Sequence, residues 1–200
     1  MKPILAFFFF ALALLTACDQ EPLDPTDYMK WMRSDESGLH VNRNIGRYEF
    51  NLQYTSPEYI VLRSNRNTVL SADEMQKQRL NFEGIEQYIF KLKANDGSMI
   101  LDEGDDFIYN SRLEYFVSMA EADISLVRGT DTLACAQYNF ERTYGLSPEV
   151  TLVVGFEADT SAEESDRTFI FDDHVLGIGT VKLNIEKTAY QQLPSLRYEK

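Results

Sequence analysis

Apolar side chains recur at every second position in parts of this chain, which is the period of a strand with one buried face. The alternation is clearest at Tyr48, Phe50, Leu52 and Tyr54, and it returns over residues 88–92. Further short apolar runs occupy residues 59–62, 124–127, 133–140, 150–156, 168–171 and 180–185. Their number and spacing predict a mainly β fold, a β-sandwich or open barrel, with two or three short helices.

Turn signals separate several of these runs. Residues 128–131, with the sequence Arg-Gly-Thr-Asp, predict a hairpin between the strands on either side. Asn95-Asp96-Gly97 predicts a turn after the strand at residues 88–92. We interpret the acidic residues 157–166 as a solvated hairpin loop.

Cap signals predict the helices. Ser71 and Glu74 have the spacing of a capping box and open a predicted helix that ends at Gly84. A shorter helix is expected from a cap at Thr26 to Gly38, where glycine suits the residue after a helix.

Residues 105–122 fit two patterns. One face of a helix would hold Tyr109, Leu113, Phe116, Val117 and Ala120, whereas the alternation of Leu113, Tyr115 and Val117 suits a strand. We expect a strand over the second half of this stretch.

Two segments of the chain resemble each other. Tyr48, Phe50 and Tyr54 are followed by Ser56-Pro57-Glu58, and Tyr138, Phe140 and Tyr144 are followed by Ser147-Pro148-Glu149. An internal duplication would give two similar sheet units, but two strands ending in the same Ser-Pro turn would also look alike, and we favour that explanation.

The first residues of the chain predict an export signal. Lys2 precedes an unbroken apolar run at residues 4–15, which is shorter than the roughly 20 residues that span a bilayer. The run ends at Leu15-Thr16-Ala17-Cys18, and this motif resembles the lipobox of bacterial lipoproteins. The resemblance implies cleavage before Cys18 and acylation, including palmitate, on its thiol.

The chain is thus expected to have three parts. Residues 1–17 are the predicted signal peptide, and residues 18–27 are a lipidated acidic tether, expected to be extended and solvated. Residues 28–200 are expected to form a single β-rich domain. Several acyl chains on one cysteine give stable membrane anchoring, because each buried CH₂ contributes about 0.8 kcal/mol.

The residues after Cys18 indicate which membrane would hold the lipid anchor. Asp19 resembles the inner-membrane retention signal of enteric bacteria, whereas a continuing acidic run resembles the surface-export signal of Bacteroidetes lipoproteins. Residues 44–54 and 140–146 are also similar to segments of uncharacterised Bacteroidetes lipoproteins, which implies no activity. We therefore expect a lipid anchor in the outer membrane, with exposure at the cell surface.

Charge excludes one class of partner. The formal net charge of the chain is −13, and removal of residues 1–17 leaves 18 basic and 32 acidic residues, a charge of −14. A domain this acidic repels phosphate backbones, so nucleic acid is not an expected partner.

The sequence contains two cysteines, Cys18 and Cys135. If Cys18 is lipidated, no internal disulfide can form. Cys135 is then expected to be buried as a small hydrophobic residue.

Two acidic segments are candidate metal sites, and no cofactor is otherwise expected. Asp102, Asp105 and Asp106 offer the oxygen ligands that Ca²⁺ prefers, although an acidic turn capping the segment from Phe107 explains them as well. Asp172, Asp173 and His174 are the densest group of ligand-type residues, but consecutive strand residues point to opposite faces. The favoured interpretation of that group is a solvated strand end.

No catalytic motif is present in the sequence. The leading functional hypothesis is a non-enzymatic, membrane-anchored binding or accessory module for a glycan, peptide or protein of the cell envelope, with exposed Tyr side chains as a stacking platform for sugars. The alternatives are a structural envelope component acting through protein contacts and, third, a hydrolase using carboxylates such as Glu163, Glu164 or Asp172.

Overall fold

Two antiparallel sheets form the framework of the protein. The computed structural model describes residues 21–98, 100–101, 104–144, 146–158 and 165–198. The predicted signal peptide and Cys18 therefore lie outside the described residues. The strands are β1 (His40–Ile45), β2 (Tyr48–Thr55), β3 (Ile85–Ala94), β4 (Ile124–Arg128), β5 (Asp131–Ala134), β6 (Gln137–Glu141), β7 (Val150–Glu157), β8 (Arg167–Asp173) and β9 (Gly179–Ile185).

The order of the strands gives a five-stranded sheet, β1-β2-β3-β7-β6, and a four-stranded sheet, β5-β4-β8-β9. Their inner faces meet in an aromatic core, in which Phe90 of β3 lies 4.9 Å from Phe169 and 5.5 Å from Phe171 of β8 between ring centroids. Phe50 and Leu52 are buried on the same side, so the alternation in the sequence marks the core face as expected. The prediction of a mainly β, sandwich-like fold is confirmed.

The hairpin predicted at residues 128–131 is confirmed. Arg128 pairs with Asp131, which leaves Gly129 and Thr130 as a two-residue turn. Gly129 has a φ of +59°, a conformation that glycine adopts without steric cost.

The chain passes between the sheets at two places where the sequence suggested continuity. The expected strand at residues 133–140 is two strands, because β5 belongs to one sheet and β6 to the other, and Cys135 and Ala136 lie between them. The expected hairpin loop at residues 157–166 is also wrong, since β7 and β8 lie in different sheets and do not pair. Residues 159–164 of that connection lie outside the described residues.

Five α-helices are present within the described residues, rather than two or three. They are α1 (Pro25–Trp31), α2 (Pro57–Ser64), α3 (Ala72–Arg79), α4 (Asp106–Glu114) and α5 (Lys187–Gln191). In this part of the chain no helix combines the length and apolar character needed to cross a bilayer.

The strand expected at residues 59–62 is wrong, because these residues belong to α2. Ser56 has extended backbone angles and its Oγ accepts a hydrogen bond from the Tyr59 backbone N–H at 3.1 Å. Pro57 occupies the first turn, where its missing N–H costs nothing. The Ser-Pro pair therefore starts a helix rather than interrupting a strand.

The capping box of α3 is confirmed. The Glu74 side chain accepts a hydrogen bond from the Ser71 backbone N–H at 3.0 Å, and Ser71 Oγ accepts one from the Glu74 backbone N–H. A 3₁₀ turn (Leu80–Phe82) follows α3, and Gly84 then adopts a φ of +89°, as its predicted place after the helix requires.

The strand expected in the second half of residues 105–122 is wrong. α4 continues into a π-helical turn (Tyr115–Met119) and a 3₁₀ turn (Ala120–Asp123) before β4 begins. Tyr115, Phe116 and Ala120 are buried, and the Phe116 ring stacks on Phe140 with 6.2 Å between centroids. The helical pattern of burial thus prevails over the shorter alternation.

The two similar segments of the sequence fold differently. Ser56-Pro57-Glu58 begins α2, whereas Ser147-Pro148-Glu149 leads directly into β7. The strands that precede them also differ, because β2 is internal in its sheet and β6 is an edge strand. The resemblance therefore does not reflect two equivalent units.

The expected tether is shorter than residues 18–27. Leu23 forms a parallel bridge with Leu196, its N–H donating to Ser195 O at 2.9 Å and its carbonyl accepting from the Arg197 N–H at 2.7 Å. Asp24, and not Thr26, caps α1 by accepting from the backbone N–H groups of Thr26 and Asp27. The domain thus begins at Leu23, five residues before the predicted boundary.

Helices α1 and α2 lie on the outer face of the five-stranded sheet. Gln53 of β2 donates to the carbonyl of Met32, just after α1, and Arg63 of α2 is paired with Glu141 of β6 at 3.5 Å. Gln87 and Ile89 are buried although they alternate with the core residues of β3. Strand β3 is therefore covered on both sides over this part of its length.

Candidate functional site

A polar groove with a volume of about 320 Å³ lies on the part of this outer face that the helices leave open. Its floor consists of outward side chains of β2 and β3, and its rim comes from the residue after Met32, from β1 and from the residue before β7. This volume is within the range of small-ligand sites. The lining side chains are Arg33, His40, Glu49, Asn51, Gln53, Lys91, Lys93 and Glu149.

Two ion pairs cross the groove floor. The register of β2 and β3 places Glu49 opposite Lys93, and their Oε1 and Nζ atoms are 3.1 Å apart. Lys91 Nζ donates to Glu149 Oε1 at 2.7 Å. Each pair is solvent-accessible and contributes little to stability, so these charges are available to a ligand at low cost.

Amide and imidazole groups occupy the other end of the groove. Asn51 Nδ2 donates to Asn42 Oδ1 at 2.5 Å and contacts His40 Nε2, while His40 Nδ1 lies 3.4 Å from Asp35 Oδ1. Gln53 uses its amide nitrogen for the Met32 carbonyl at 3.0 Å. Because both amides donate to the protein through nitrogen, their oxygens are the groups left to accept hydrogen bonds from a bound molecule.

The groove offers groups that form hydrogen bonds and ion pairs. Its two carboxylates each face a lysine rather than each other, so they do not form the acid and base pair of a hydrolase. Within the described residues its lining is polar and contains no Phe, Tyr or Trp side chain. The groove therefore suits recognition by hydrogen bonds and charge rather than by stacking.

The aromatic side chains that suggested a sugar platform are mostly in the core. Tyr28, Tyr48, Tyr59, Tyr88 and Tyr190 are all buried. Among the described aromatic residues, Phe107 and Tyr144 are the most exposed. The alternating core explains most of the aromatic content.

Asp172 and Asp173 point to opposite sides of β8, as strand geometry requires. Asp172 is exposed and accepts from Thr180 Oγ1 at 2.7 Å. Asp173 is buried and accepts backbone hydrogen bonds from Val175, Leu176 and Ile178, which shapes the turn into β9. These carboxylates hold a turn together and are not brought into one ligand set.

His174 is paired with a different acid. Its Nδ1 atom lies 3.1 Å from Asp123 Oδ2, and this hydrogen bond, with the charge of Asp123, raises the pKa of the imidazole above its ordinary value. The same Asp123 oxygen accepts from Tyr115 OH at 2.7 Å. The pair links β8 to the turn before β4.

Asp105 acts as the cap of α4. Its Oδ1 accepts from the backbone N–H groups of Phe107 at 2.8 Å and Ile108 at 3.2 Å, as the capping interpretation expected.

Among the residues that the structure describes, no other acidic candidate joins Asp105 in a site. Asp106 is the first residue of α4. Asp102, Glu163 and Glu164 lie outside the described residues. Within the part of the chain described, no three His, Cys, Asp or Glu side chains form a group that could hold a metal ion.

Cys135 is only partly buried, which corrects the expectation of burial. It lies where the chain passes from one sheet to the other, and its thiol donates to the carbonyl of Gln137 at 3.0 Å. Partial removal from water raises the pKa of this thiol, which disfavours the reactive thiolate.

A buried charged cluster escaped the sequence analysis. Glu86 of β3 accepts from Arg167 Nε of β8 at 3.0 Å and from Tyr88 OH, and Arg128 Nη1 of β4 lies 3.6 Å from its second oxygen. The Arg167 guanidinium also lies 4.8 Å from the centre of the Tyr190 ring. A signal was present, because Glu86 and Arg167 fall on the inward phase of their strands, in register with the alternating core residues.

Comparisons with known proteins add little to this picture. No family model matches the chain, and no curated protein is significantly similar to it. Among solved structures, it is similar to a DUF4426 family protein from Pseudomonas aeruginosa PAO1, with 10% identity and a TM-score of 0.35 over 74% of this chain and 94% of that one. A TM-score this low does not establish a shared fold.

Proposed function

We propose that this protein is a lipid-anchored binding module of the bacterial cell envelope, which uses the polar groove to hold a hydrophilic ligand. The observation that carries the proposal is the convergence of the Asn51 and Gln53 amides, the His40 imidazole and two ion pairs on one open face. Hydroxyl groups of a glycan are the ligand chemistry that such a lining matches best. A peptide with charged side chains is the second ligand chemistry that it matches.

Binding is tested with the detergent-solubilised mature protein on an array of envelope glycans. Asn51→Ala and Lys93→Met each remove a groove group, and each should weaken binding about tenfold, since the loss of one hydrogen bond of about 1.5 kcal/mol changes an affinity by about that factor. Lys182→Met is the matched control, because Lys182 is an exposed strand lysine in the other sheet. A blank array, or equal binding by all variants, would overturn the glycan proposal.

The anchor is tested separately. Cys18→Ser should abolish incorporation of labelled palmitate and shift the protein out of the membrane fraction, because the thiol that accepts the lipid is gone. Ala17→Ser keeps a small residue before the cysteine and is the control. Unchanged labelling and partitioning of the Cys18→Ser protein would contradict the lipoprotein assignment.

The main rival is a structural envelope component that acts through protein contacts alone. It predicts no small-ligand binding by the groove, together with co-purification of a defined envelope partner by the wild-type and groove variants alike. The array and the groove variants therefore separate the two.

A further inference from the structure

The point where the chain enters the domain is fixed next to the α2–α3 hairpin, which we define as residues 57–83. Leu23 pairs with Leu196, and α1 begins two residues later at Pro25. On α1, Tyr28 OH lies 2.8 Å from Oγ of Ser56, the residue that caps α2. The entry point and the hairpin thus share one side of the protein.

Few residues separate this entry point from the proposed lipid. Cys18 and Leu23 are five residues apart, and even a fully extended backbone covers at most roughly 18 Å over that length. A lipid on Cys18 therefore keeps the surface around Leu23 close to the headgroups.

The hairpin has the charge and exposure that a lipid surface tolerates. Four basic residues (Arg63, Arg66, Lys77, Arg79) balance four acidic ones (Glu58, Asp73, Glu74, Glu83), although the chain as a whole carries −13. Anionic headgroups repel a neutral surface much less than an acidic one. The hairpin also exposes Val69, with 85% of its surface accessible, and Leu80, with 52%.

We propose that the α2–α3 hairpin rests against the membrane surface and sets the orientation of the domain there. This inference rests on the proposed lipidation of Cys18, which supplies the affinity. The hairpin adds only the choice of face, because two exposed aliphatic side chains bury too little area to bind a membrane alone.

A second exposed apolar group provides the internal control. Leu146 is also highly exposed, but it precedes β7, whose first residue Val150 pairs with Leu92 near the far end of β3. The hairpin begins beside Thr55, which pairs with Gln87 near the start of β3. A membrane contact at one of these ends of the sheet is therefore separate from a contact at the other.

The test uses the full lipidated protein in vesicles of phosphatidylethanolamine and phosphatidylglycerol that carry a nitroxide quencher on some headgroups. In a Cys135→Ser background, a bimane label is attached to Leu80→Cys or to Leu146→Cys, and circular dichroism verifies that both variants are folded. We expect the Leu80 label to be quenched several-fold more strongly than the Leu146 label. Equal quenching, or stronger quenching at Leu146, would overturn the proposed orientation.

Flotation of the same vesicles distinguishes the two levels of failure. A protein that does not float with lipid lacks the anchor, and both the lipoprotein assignment and this inference are then wrong. A protein that floats, but whose Leu80 label is not quenched, retains the anchor and refutes only the orientation.

Discussion

The Nε atom of Arg167 lies 3.0 Å from Oε1 of Glu86, and both side chains are almost completely buried between the two sheets. The pair joins β8 to β3 and so connects the four-stranded sheet to the five-stranded one. Arg128 approaches the second carboxylate oxygen at 3.6 Å, and this oxygen is the one buried side-chain polar atom among the described residues that lacks a hydrogen bond. The carboxylate thus depends on two arginines for its charge compensation.

Removal of one member of this pair should be strongly destabilising. Glu86→Leu leaves the buried Arg167 uncompensated, and the free energy of unfolding should fall by about 3–5 kcal/mol in urea titrations. Glu86→Leu combined with Arg167→Met should recover part of that loss, because the buried Arg167 charge is then gone and Arg128 alone has lost its carboxylate.

An exposed ion pair provides the comparison for this experiment. Lys30 and Asp27 are 2.9 Å apart on α1, with 67% and 54% of their side chains accessible. Lys30→Ala should therefore change the unfolding free energy by less than about 1 kcal/mol. If Glu86→Leu is no more destabilising than Lys30→Ala, the buried pair does not hold the sheets together.

Gly155 of β7 is a position where no side chain fits. A Cβ atom built there would lie 2.6 Å from Ile85 Cγ2 and 3.1 Å from Gln137 Cβ, on the two neighbouring strands. Gly155→Ala should destabilise the protein by about 1–3 kcal/mol, measured by thermal and urea unfolding.

The double variant Gly155→Ala with Ile85→Ala checks the cause. It removes the methyl group that the new Cβ would meet, so it should be less destabilised than the sum of the two single variants. Additive effects would show that the contact with Ile85 is not the reason.

Ser56 joins two helices through one hydroxyl. Its Oγ accepts from the Tyr59 N–H and lies 2.8 Å from Tyr28 OH, and both side chains are buried. Ser56→Ala removes the cap of α2 and leaves the Tyr28 hydroxyl without its partner, so a loss of about 2 kcal/mol is expected. In a Tyr28→Phe background the same change should cost about 1 kcal/mol less, and equal costs in both backgrounds would contradict a coupling between the helices.

The sequence predicted the sheets better than it predicted the helices. Alternation at Tyr48, Phe50 and Leu52 depends only on which face meets the core, and that property is local. Tyr59 and Leu62 instead have the i, i+3 spacing of a helix, in which Ser56 and Pro57 form a cap and a first turn. A four-residue apolar run carries too little periodicity to separate the two structures.

The groove could not be found from the sequence, for a different reason. Asn51 and Lys91 are 40 positions apart, and both are ordinary outward residues of half-buried strands. Only the register that places them opposite each other brings them into one site. By contrast, a charged residue in phase with the core, such as Glu86 before Tyr88 and Phe90, is a signal that a single sequence does contain.

The pair between His174 and Asp123 should make the stability of the protein depend on pH. Because the folded-state pKa of His174 is raised, by its hydrogen bond to Asp123 first and by the charge of Asp123 second, folding favours the protonated imidazole. The resulting stabilisation is fully present below the unfolded pKa of about 6.5 and is lost as the pH rises through the raised folded value. NMR titration of the imidazole carbon-bound protons should place the His174 midpoint above that of a model peptide, and Asp123→Asn should return it toward the ordinary value.

Asp123→Asn should also lower the free energy of unfolding, and by more at pH 5.5 than at pH 8.5. The variant weakens the hydrogen bond from Tyr115 as well, but that loss occurs at every pH. Only the interaction with the imidazolium therefore makes the deficit larger at the lower pH. The matched variant Tyr115→Phe removes the phenol alone and should show the same deficit at both values. A deficit of Asp123→Asn that does not change with pH would mean that the ion pair contributes nothing to the folded state.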